Sequence, residues 1–275
     1  MSPTPSPERS NPSAPSGPTE HAADPLASFR LDGRVAIVTG ASSGLGRRFA
    51  TVLHGVGAQV VVSARRGDRL DELVAELPGA VAVVGDVTDE AVHARLVERA
   101  LELGGRIDVL VNNAGASAPV PAEDETLDQF RHIVEVNLNA LFGLSQLVGR
   151  QMLEQGRGSI VNIASILGMV AAAPIKQASY TASKGAVVNL TRQLGAEWGR
   201  RGVRVNAIAP GWFETEMTAE MWRDESSMAF IRRNTPLGRP GLLDELDGAL
   251  LFLAGDASSF VTGQTLAVDG GWTAR

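Results

Sequence analysis

Short apolar segments alternate with helical patterns along the chain from about residue 35 to its end, and this alternation limits the folds the sequence can adopt. The segments are rich in valine, isoleucine and alanine, as strands buried on both faces of a sheet are. Seven are predicted as strands, at 35–38, 58–62, 81–84, 107–111, 159–163, 203–208 and 265–268. Helices are expected at about 45–55, 66–77, 89–103, 127–155 (long enough to contain a break) and 179–200. The order predicts a single α/β domain, a Rossmann-like doubly wound parallel sheet with helices on both faces.

The first 28 residues differ in composition from the rest of the chain. Half of the fourteen prolines precede residue 26, and large apolar residues are scarce there. Such a segment cannot bury enough surface to offset its ordering entropy, so we expect a disordered tail at 1–28 and one folded domain at 29–275. The tail lacks the apolar core of a secretory signal, and no stretch of the chain approaches the roughly 18 apolar residues of a membrane span. A cytoplasmic location is therefore expected.

Charge and residue usage argue against several classes of function. The formal net charge is −6, which does not favour nucleic acid or an anionic membrane as a partner. The chain has no cysteine, which excludes disulfides and thiolate metal sites. Its four histidines are scattered without the spacing of metal ligands. We therefore expect no nucleic acid, membrane or metal ion as a partner.

A glycine-rich loop joins the first predicted strand to the first predicted helix, in the run Gly40-Ala41-Ser42-Ser43-Gly44-Leu45-Gly46. Glycines let a backbone approach a pyrophosphate closely, and the helix N-terminus behind them offers free N–H groups. The G-x-x-x-G-x-G spacing differs from the common G-x-G-x-x-G fingerprint, and no Lys-Ser or Lys-Thr follows to make a Walker loop. The alternative interpretation is a glycine-rich turn without a ligand.

The chain's single tyrosine, Tyr180, precedes Lys184 by four residues, which places the two side chains on one face of a helix. An unperturbed phenol has a pKa of about 10, and a neighbouring cation lowers it. The pair is therefore predicted to act as a proton donor and acceptor for an alcohol or carbonyl. Taken alone, such a pair is more often a surface pair or a snorkelling contact.

These motifs, with several others, resemble the short-chain dehydrogenase/reductase family over about residues 30–273. The further matches are Asp86 after the third strand, Asn112-Asn113-Ala114-Gly115, Asn137, Ser165, and Pro210-Gly211 with Thr215. The resemblance implies that Asp86 bonds the adenine and that the Pro210 loop holds the nicotinamide carboxamide. It implies cofactor contacts at Gly40, Ser42, Ser43, Gly44, Leu45, Gly46, Ser63, Arg65, Arg66, Asp86, Val87, Asn113, Ala114, Gly115, Tyr180, Lys184, Pro210, Gly211, Phe213 and Thr215.

The resemblance also implies a catalytic set of Asn137, Ser165, Tyr180 and Lys184. Hydride would pass between nicotinamide C4 and the carbonyl carbon while Tyr180 moves the proton and Ser165 stabilises charge on the oxygen. Lys184 would lower the Tyr180 pKa and bond the ribose, and Asn137 would hold a water. Ser165 lies fifteen residues before Tyr180, two more than much of the family has, and the extra length falls in a substrate-side loop at 169–177. The rival serines, Ser159 and Ser179, fit less well.

The end of the second strand indicates NADP(H) as the preferred cofactor, with NAD(H) possible. An NAD-specific site places a carboxylate there to bond the ribose 2′-hydroxyl, and Ala64 occupies that position. Arg65 and Arg66 follow, and arginine binds phosphate in a bidentate way. Ser63 could add a hydroxyl. The alternative is two solvated arginines at a helix start.

The substrate is less constrained. Residues 212–237, named here the lid segment, carry seven large apolar side chains: Trp212, Phe213, Met217, Met221, Trp222, Met228 and Phe230. They predict a hydrophobic ketone or alcohol, although local core or a subunit contact would use the same residues. A 3-oxoacyl-carrier reductase or a sugar or polyol dehydrogenase stays open within the family, and a non-catalytic dinucleotide sensor outside it. The family resemblance also implies a homotetramer, with Leu138, Leu141, Phe142, Leu147 and Val148 as apolar positions for helix contacts.

Overall fold

The computed structural model describes residues 24–171, 173 and 175–274, and in them seven parallel strands form one sheet with the order β3-β2-β1-β4-β5-β6-β7. The prediction of a doubly wound parallel sheet is confirmed, and each predicted strand is present within two residues at either end. The strands are β1 (Val35–Thr39), β2 (Gln59–Ala64), β3 (Val81–Val84), β4 (Val109–Asn112), β5 (Gly158–Ile163), β6 (Val203–Pro210) and β7 (Thr265–Val268).

Two layers of helices cover the sheet. One layer consists of α1 (Gly44–Gly55), α2 (Gly67–Glu76) and α9 (Asp247–Ala254), and its core holds Phe49, Leu70 and Leu250. The other contains α3 (Glu90–Gly104), α5 (Ala140–Gln155) and α6 (Ala178–Trp198), with α4 (Leu127–Val134) packed on α6. Two short helices, α7 (Ala219–Arg223) and α8 (Glu225–Asn234), lie in the lid segment.

The strand sequences explain why the sheet is covered on both faces. All five residues of β1 are buried, as are all four of β4 and five of six in β5. A strand with apolar side chains on both faces needs a helix on each side. The strand order reverses between β1 and β4, which is where ligands bind in open sheets of this kind, outside the carboxyl ends of the strands.

The helical pattern predicted at 127–155 is interrupted, and the interruption is a single π-helical turn, Glu135–Asn139, between α4 and α5. Helix α4 begins with a capping box, in which the Thr126 hydroxyl accepts from the Gln129 N–H and the Gln129 side-chain oxygen accepts from the Thr126 N–H. A π turn inside an α-helix is uncommon and is frequent at functional sites. Here it carries Asn137.

The predicted tail at 1–28 falls mostly outside the described residues, and its disorder stays a prediction. The last five of those residues are described, and Ala27–Phe29 forms a 3₁₀ turn. A Cβ on Gly255, at the end of α9, would lie 2.6 Å from the Ser28 carbonyl oxygen, so this turn packs against the domain. Within the described part of the chain, no helix combines the length and apolarity needed to cross a bilayer.

Candidate active site

One cleft of about 540 Å³ opens at the carboxyl ends of the strands, between the glycine-rich loop and the lid segment. Every residue predicted to contact the cofactor lines it, and so do Ser165, Tyr180 and Lys184. Of the predicted site residues, Asn137 alone does not reach the cleft wall. Loops that lie between Gly40 and Thr215 in the sequence therefore converge on one site.

The glycine-rich loop leaves no room for side chains at two of its positions. A Cβ on Gly46 would lie 2.3 Å from the Gly40 carbonyl oxygen, and one on Gly40 would lie 2.8 Å from Asn113 Nδ2. Gly40 and Gly44 also have positive φ angles, of 68° and 51°. Ser43 occupies the N-cap of α1, yet its side chain makes no capping bond. The first turn of α1 lines the cleft and has no side-chain cap on its N–H groups, and this arrangement suits a pyrophosphate.

The loop after β4 is tied to the glycine-rich loop. The backbone N–H groups of Asn113 and Ala114 both donate to Thr39 Oγ1, at 3.0 and 3.1 Å. Asn113 Nδ2 donates to the carbonyl oxygens of Thr39 and Gly40. Asn113 therefore contributes by fixing the floor of the cleft.

The Ser165 hydroxyl and the Tyr180 phenol are neighbours, although β5 and α6 supply them separately. Ser165 lies two residues after the end of β5 and accepts a hydrogen bond from the Leu167 N–H at 3.1 Å. Burial raises the pKa of Tyr180, and hydrogen bonding to Ser165 lowers it in part. Two hydroxyls so placed can both bond one substrate oxygen. The loop at 169–177 lies beyond Ser165, and two of its residues, 172 and 174, are outside the described part of the chain.

The Tyr180 pKa is raised by burial, whereas the i, i+4 spacing predicted that Lys184 would lower it. The Lys184 ammonium lies 5.8 Å from the centre of the Tyr180 ring and donates to the Ile163 carbonyl oxygen at 2.7 Å. The side chain is almost wholly buried, and burial lowers its own pKa to about 8. The spacing predicted the proximity correctly, but desolvation has the largest effect on the pKa of each group.

Asn137 lies behind the cleft wall. Its Oδ1 accepts from the Ala116 N–H at 2.8 Å, and its Nδ2 donates to the Ala116 carbonyl oxygen and to Ser183 Oγ, both at 3.0 Å. A Cβ on Gly115 would lie 3.3 Å from Asn137 Oδ1 and 3.7 Å from Lys184 Nζ. The π turn therefore brings the amide to the same backbone segment as the lysine. A water-holding role for Asn137 stays a prediction.

The adenosine side of the cleft carries the two predicted arginines. Arg65 is exposed and lies 3.8 Å from Asp86, whose pKa is lowered mainly by the Thr88 backbone N–H. Arg66 Nη2 donates to Ser42 Oγ at 3.0 Å and to Ser43 Oγ at 2.8 Å, and it pairs with Glu216 at 2.8 Å. Both guanidinium groups can reach a phosphate near the end of β2.

The cleft has further lining residues that the sequence did not reveal. His132 and Val136, from α4 and the π turn, form part of its wall, and Glu216, Met217 and Thr218 continue it beyond Thr215. Glu216, Met217 and Thr218 directly follow Thr215, so their position next to a predicted site residue could have indicated them. Nothing in the sequence shows which face of α4 turns toward the cleft. No group of three or more His, Cys, Asp or Glu side chains within the described ranges could hold a metal ion.

Comparisons with known proteins agree with this geometry. A family model described as enoyl-(acyl carrier protein) reductase matches residues 40–273. Gluconate 5-dehydrogenase of Gluconobacter oxydans (strain 621H) is 43% identical over 252 residues, which are 89% of this chain and 96% of that protein. Galactitol 2-dehydrogenase (L-tagatose-forming) of Cereibacter sphaeroides is 44% identical over 248 residues, 89% and 97% of the two chains.

A solved structure has the same fold. The gluconate 5-dehydrogenase from Burkholderia cenocepacia J2315, crystallised in complex with NADP and tartrate, superimposes with a TM-score of 0.86 at 38% identity, covering 91% of this chain and 99% of that one. The chain belongs to the short-chain dehydrogenase/reductase family. It is an oxidoreductase of the class that acts on CH–OH and C=O groups.

Proposed function

We propose that this protein catalyses the reversible oxidation of a secondary alcohol to a ketone on a small polyhydroxylated substrate, a polyol or sugar acid, with NADP(H) as the preferred cofactor. The observation that carries the proposal is the placement of the Ser165 and Tyr180 hydroxyls beside Lys184 on a dinucleotide-sized cleft. When bound there, the nicotinamide supplies or accepts the hydride. The chain's own residues position the substrate oxygen and move its proton.

Tyr180 and Ser165 divide the work on that oxygen. Because its pKa is raised, Tyr180 is protonated near neutral pH and holds a proton to give to a developing alkoxide. The Ser165 hydroxyl donates to the same oxygen and stabilises its charge. The Lys184 ammonium donates one of its three N–H groups to the Ile163 carbonyl oxygen, and the other two can donate to a ribose.

The packing of the lid segment weakens the argument for a hydrophobic substrate. Five of the lid segment's seven apolar residues pack with Trp272 and with the loop after Ser165 in one cluster, and Phe213 belongs to the core beside α9. The five are Trp212, Met221, Trp222, Met228 and Phe230. This matches the local-core alternative. A polar pair lies at the start of the helix that carries Tyr180, since Ser117 Oγ donates to Gln177 Oε1 at 2.8 Å and Gln177 is the N-cap of α6. Relatives named for gluconate and galactitol are consistent with a polyhydroxylated ligand.

A substrate panel tests this class. We expect kcat/KM for the better of gluconate and galactitol to exceed that for 1-phenylethanol by about tenfold or more, which corresponds to about 1.4 kcal/mol of transition-state energy. NADP⁺ reduction followed by absorbance measures it, with Tyr180→Phe as the blank for non-enzymatic turnover. A higher kcat/KM for the aryl alcohol would restore the hydrophobic assignment.

The cofactor preference rests on the absence of a carboxylate at Ala64 and on the two arginines beside it. Arg65→Ala is expected to raise the KM for NADPH about tenfold, because a hydrogen bond to a charged group is lost, and to leave the KM for NADH within twofold. Arg99→Ala removes an exposed arginine of α3 that does not line the cleft, and it serves as the control. Wild-type preference for NADH, or an unchanged NADPH value in Arg65→Ala, would contradict the assignment.

We further propose a homotetramer in the cytoplasm. Of the apolar positions predicted for subunit contacts, Leu141 and Val148 are buried within the single chain, which weakens that argument, while Phe142 is exposed. Leu127, Phe260 and Leu266 add exposed apolar surface. Light scattering at micromolar concentration should give about four times the 28.9 kDa chain mass. A monomeric mass would contradict the proposed tetramer. The cytoplasmic location stays a prediction.

A further inference from the structure

Glu216 reaches across the cleft from the lid segment to the arginine expected to bind the cofactor's phosphate. It directly follows Thr215, the residue predicted to hold the nicotinamide side, while Arg66 is at the start of α2 on the adenosine side. The Glu216 carboxylate lies 2.8 Å from Arg66 Nη2. The pair therefore joins the two walls of the cleft.

The surroundings of the Glu216 carboxylate form an anion site. Arg66 provides a guanidinium, and the hydroxyls of Ser42 and Ser43 hold it at 2.8–3.2 Å. The pKa of Glu216 is lowered, chiefly by its hydrogen bond to Arg66 and also by one to Ser43. The chain's own carboxylate thus occupies donors that would suit a phosphate oxygen.

We propose that Glu216 is a specificity-determining residue whose carboxylate competes with the 2′-phosphate of NADP(H) for Arg66. This inference rests on the proposed use of NADP(H). The 2′-phosphate must share Arg66 with a like charge or displace it, which weakens NADP(H) binding. The 2′-hydroxyl of NAD(H) is neutral and leaves the ion pair intact. Glu216 therefore narrows the preference for NADP over NAD that the arginines create.

The experiment measures dissociation constants by nicotinamide fluorescence for NADPH and NADH, at low and high salt. Glu216→Gln should tighten NADPH about fivefold, the upper range for an exposed ion pair, and leave NADH within about twofold. The effect should shrink at high salt, because exposed charges are screened. Glu216→Gln should have no effect on the NADPH/NADH ratio when Arg66 is already alanine, since the contested cation is absent.

The control is Glu214→Gln, which makes the same charge change two residues away at an exposed position of the same segment. It should leave both constants unchanged. An equal change for both cofactors in Glu216→Gln would show a lid contact without selectivity, and an unchanged ratio would show no competition; either overturns the inference. If wild type binds NADH more tightly than NADPH, the proposed cofactor preference fails by itself, because the shift caused by Glu216→Gln is read separately.

Discussion

Replacing Tyr180 with phenylalanine should lower kcat at least about a hundredfold, the lower range for loss of a positioned general acid or base. The change removes one hydroxyl and keeps the ring, which packs at the edge of the cluster formed by Trp212 and Met228. The fold and the cofactor cleft should survive, so the dissociation constant for NADPH should stay within about threefold of wild type. Turnover and fluorescence titration of one preparation measure both.

Thr181→Val is the matched control, since it removes a hydroxyl from the next residue of α6 and should keep wild-type turnover. More than about a hundredth of wild-type activity in Tyr180→Phe would contradict the assignment of Tyr180 as proton donor. The chain has only one tyrosine, so ultraviolet titration of tyrosinate reports this phenol alone. Because burial raises the pKa of Tyr180, its midpoint should lie above the value of about 10 for a free phenol.

Gly168→Ala should lower kcat almost as much as Tyr180→Phe does, although Gly168 carries no functional group. It ends the 3₁₀ turn Ile166–Gly168 that follows Ser165, and a Cβ there would lie 2.5 Å from the Lys184 carbonyl carbon and oxygen in α6. The helix backbone cannot yield, so the turn must move and carry Ser165 away from Tyr180. A misplacement near 1 Å can cost about a hundredfold in rate, which steady-state kcat measures directly.

Gly185→Ala is a control on the other side of the same contact. Its Cβ would meet the Gly168 carbonyl oxygen at 3.5 Å, an ordinary contact, and alanine favours a helix interior over glycine. We expect kcat within about threefold of wild type and an unchanged or higher melting temperature. Gly168→Ala with kcat as high as that of Gly185→Ala would mean that this contact does not position Ser165.

The fold was largely predictable because two-sided burial leaves a clear pattern in the sequence. Each strand of a covered parallel sheet is a short apolar run, such as the VAIVT of β1, and all seven were found. The helix α9 was not predicted, since its sequence DGALLFLA is apolar nearly all round and shows no periodicity. The short helices of the lid segment escaped for a related reason, because they are stabilised by contacts with distant residues such as Trp272.

The cofactor-binding part of the site could be predicted from local sequence motifs, whereas the substrate-binding part could not. Gly40 and Gly46 lie where the backbone is approached too closely for any other residue, so the loop can be recognised from its glycine spacing. The sequence also shows that the lid segment is rich in apolar residues, but it does not show whether those residues contact a ligand or one another. The structure buries Trp212 and Met228 against the loop after Ser165, which weakens the argument for a hydrophobic substrate.

By itself the sequence determined the sheet, the glycine-rich loop and the proximity of Tyr180 to Lys184, because each depends on residues close together in the chain. The tertiary structure alone decided the electrostatics. It directs Lys184 to the Ile163 carbonyl and buries the phenol, so desolvation raises the Tyr180 pKa where the spacing predicted a lower one. It also pairs Arg66 with Glu216, 150 positions later in the chain, and charge interactions follow distance in space.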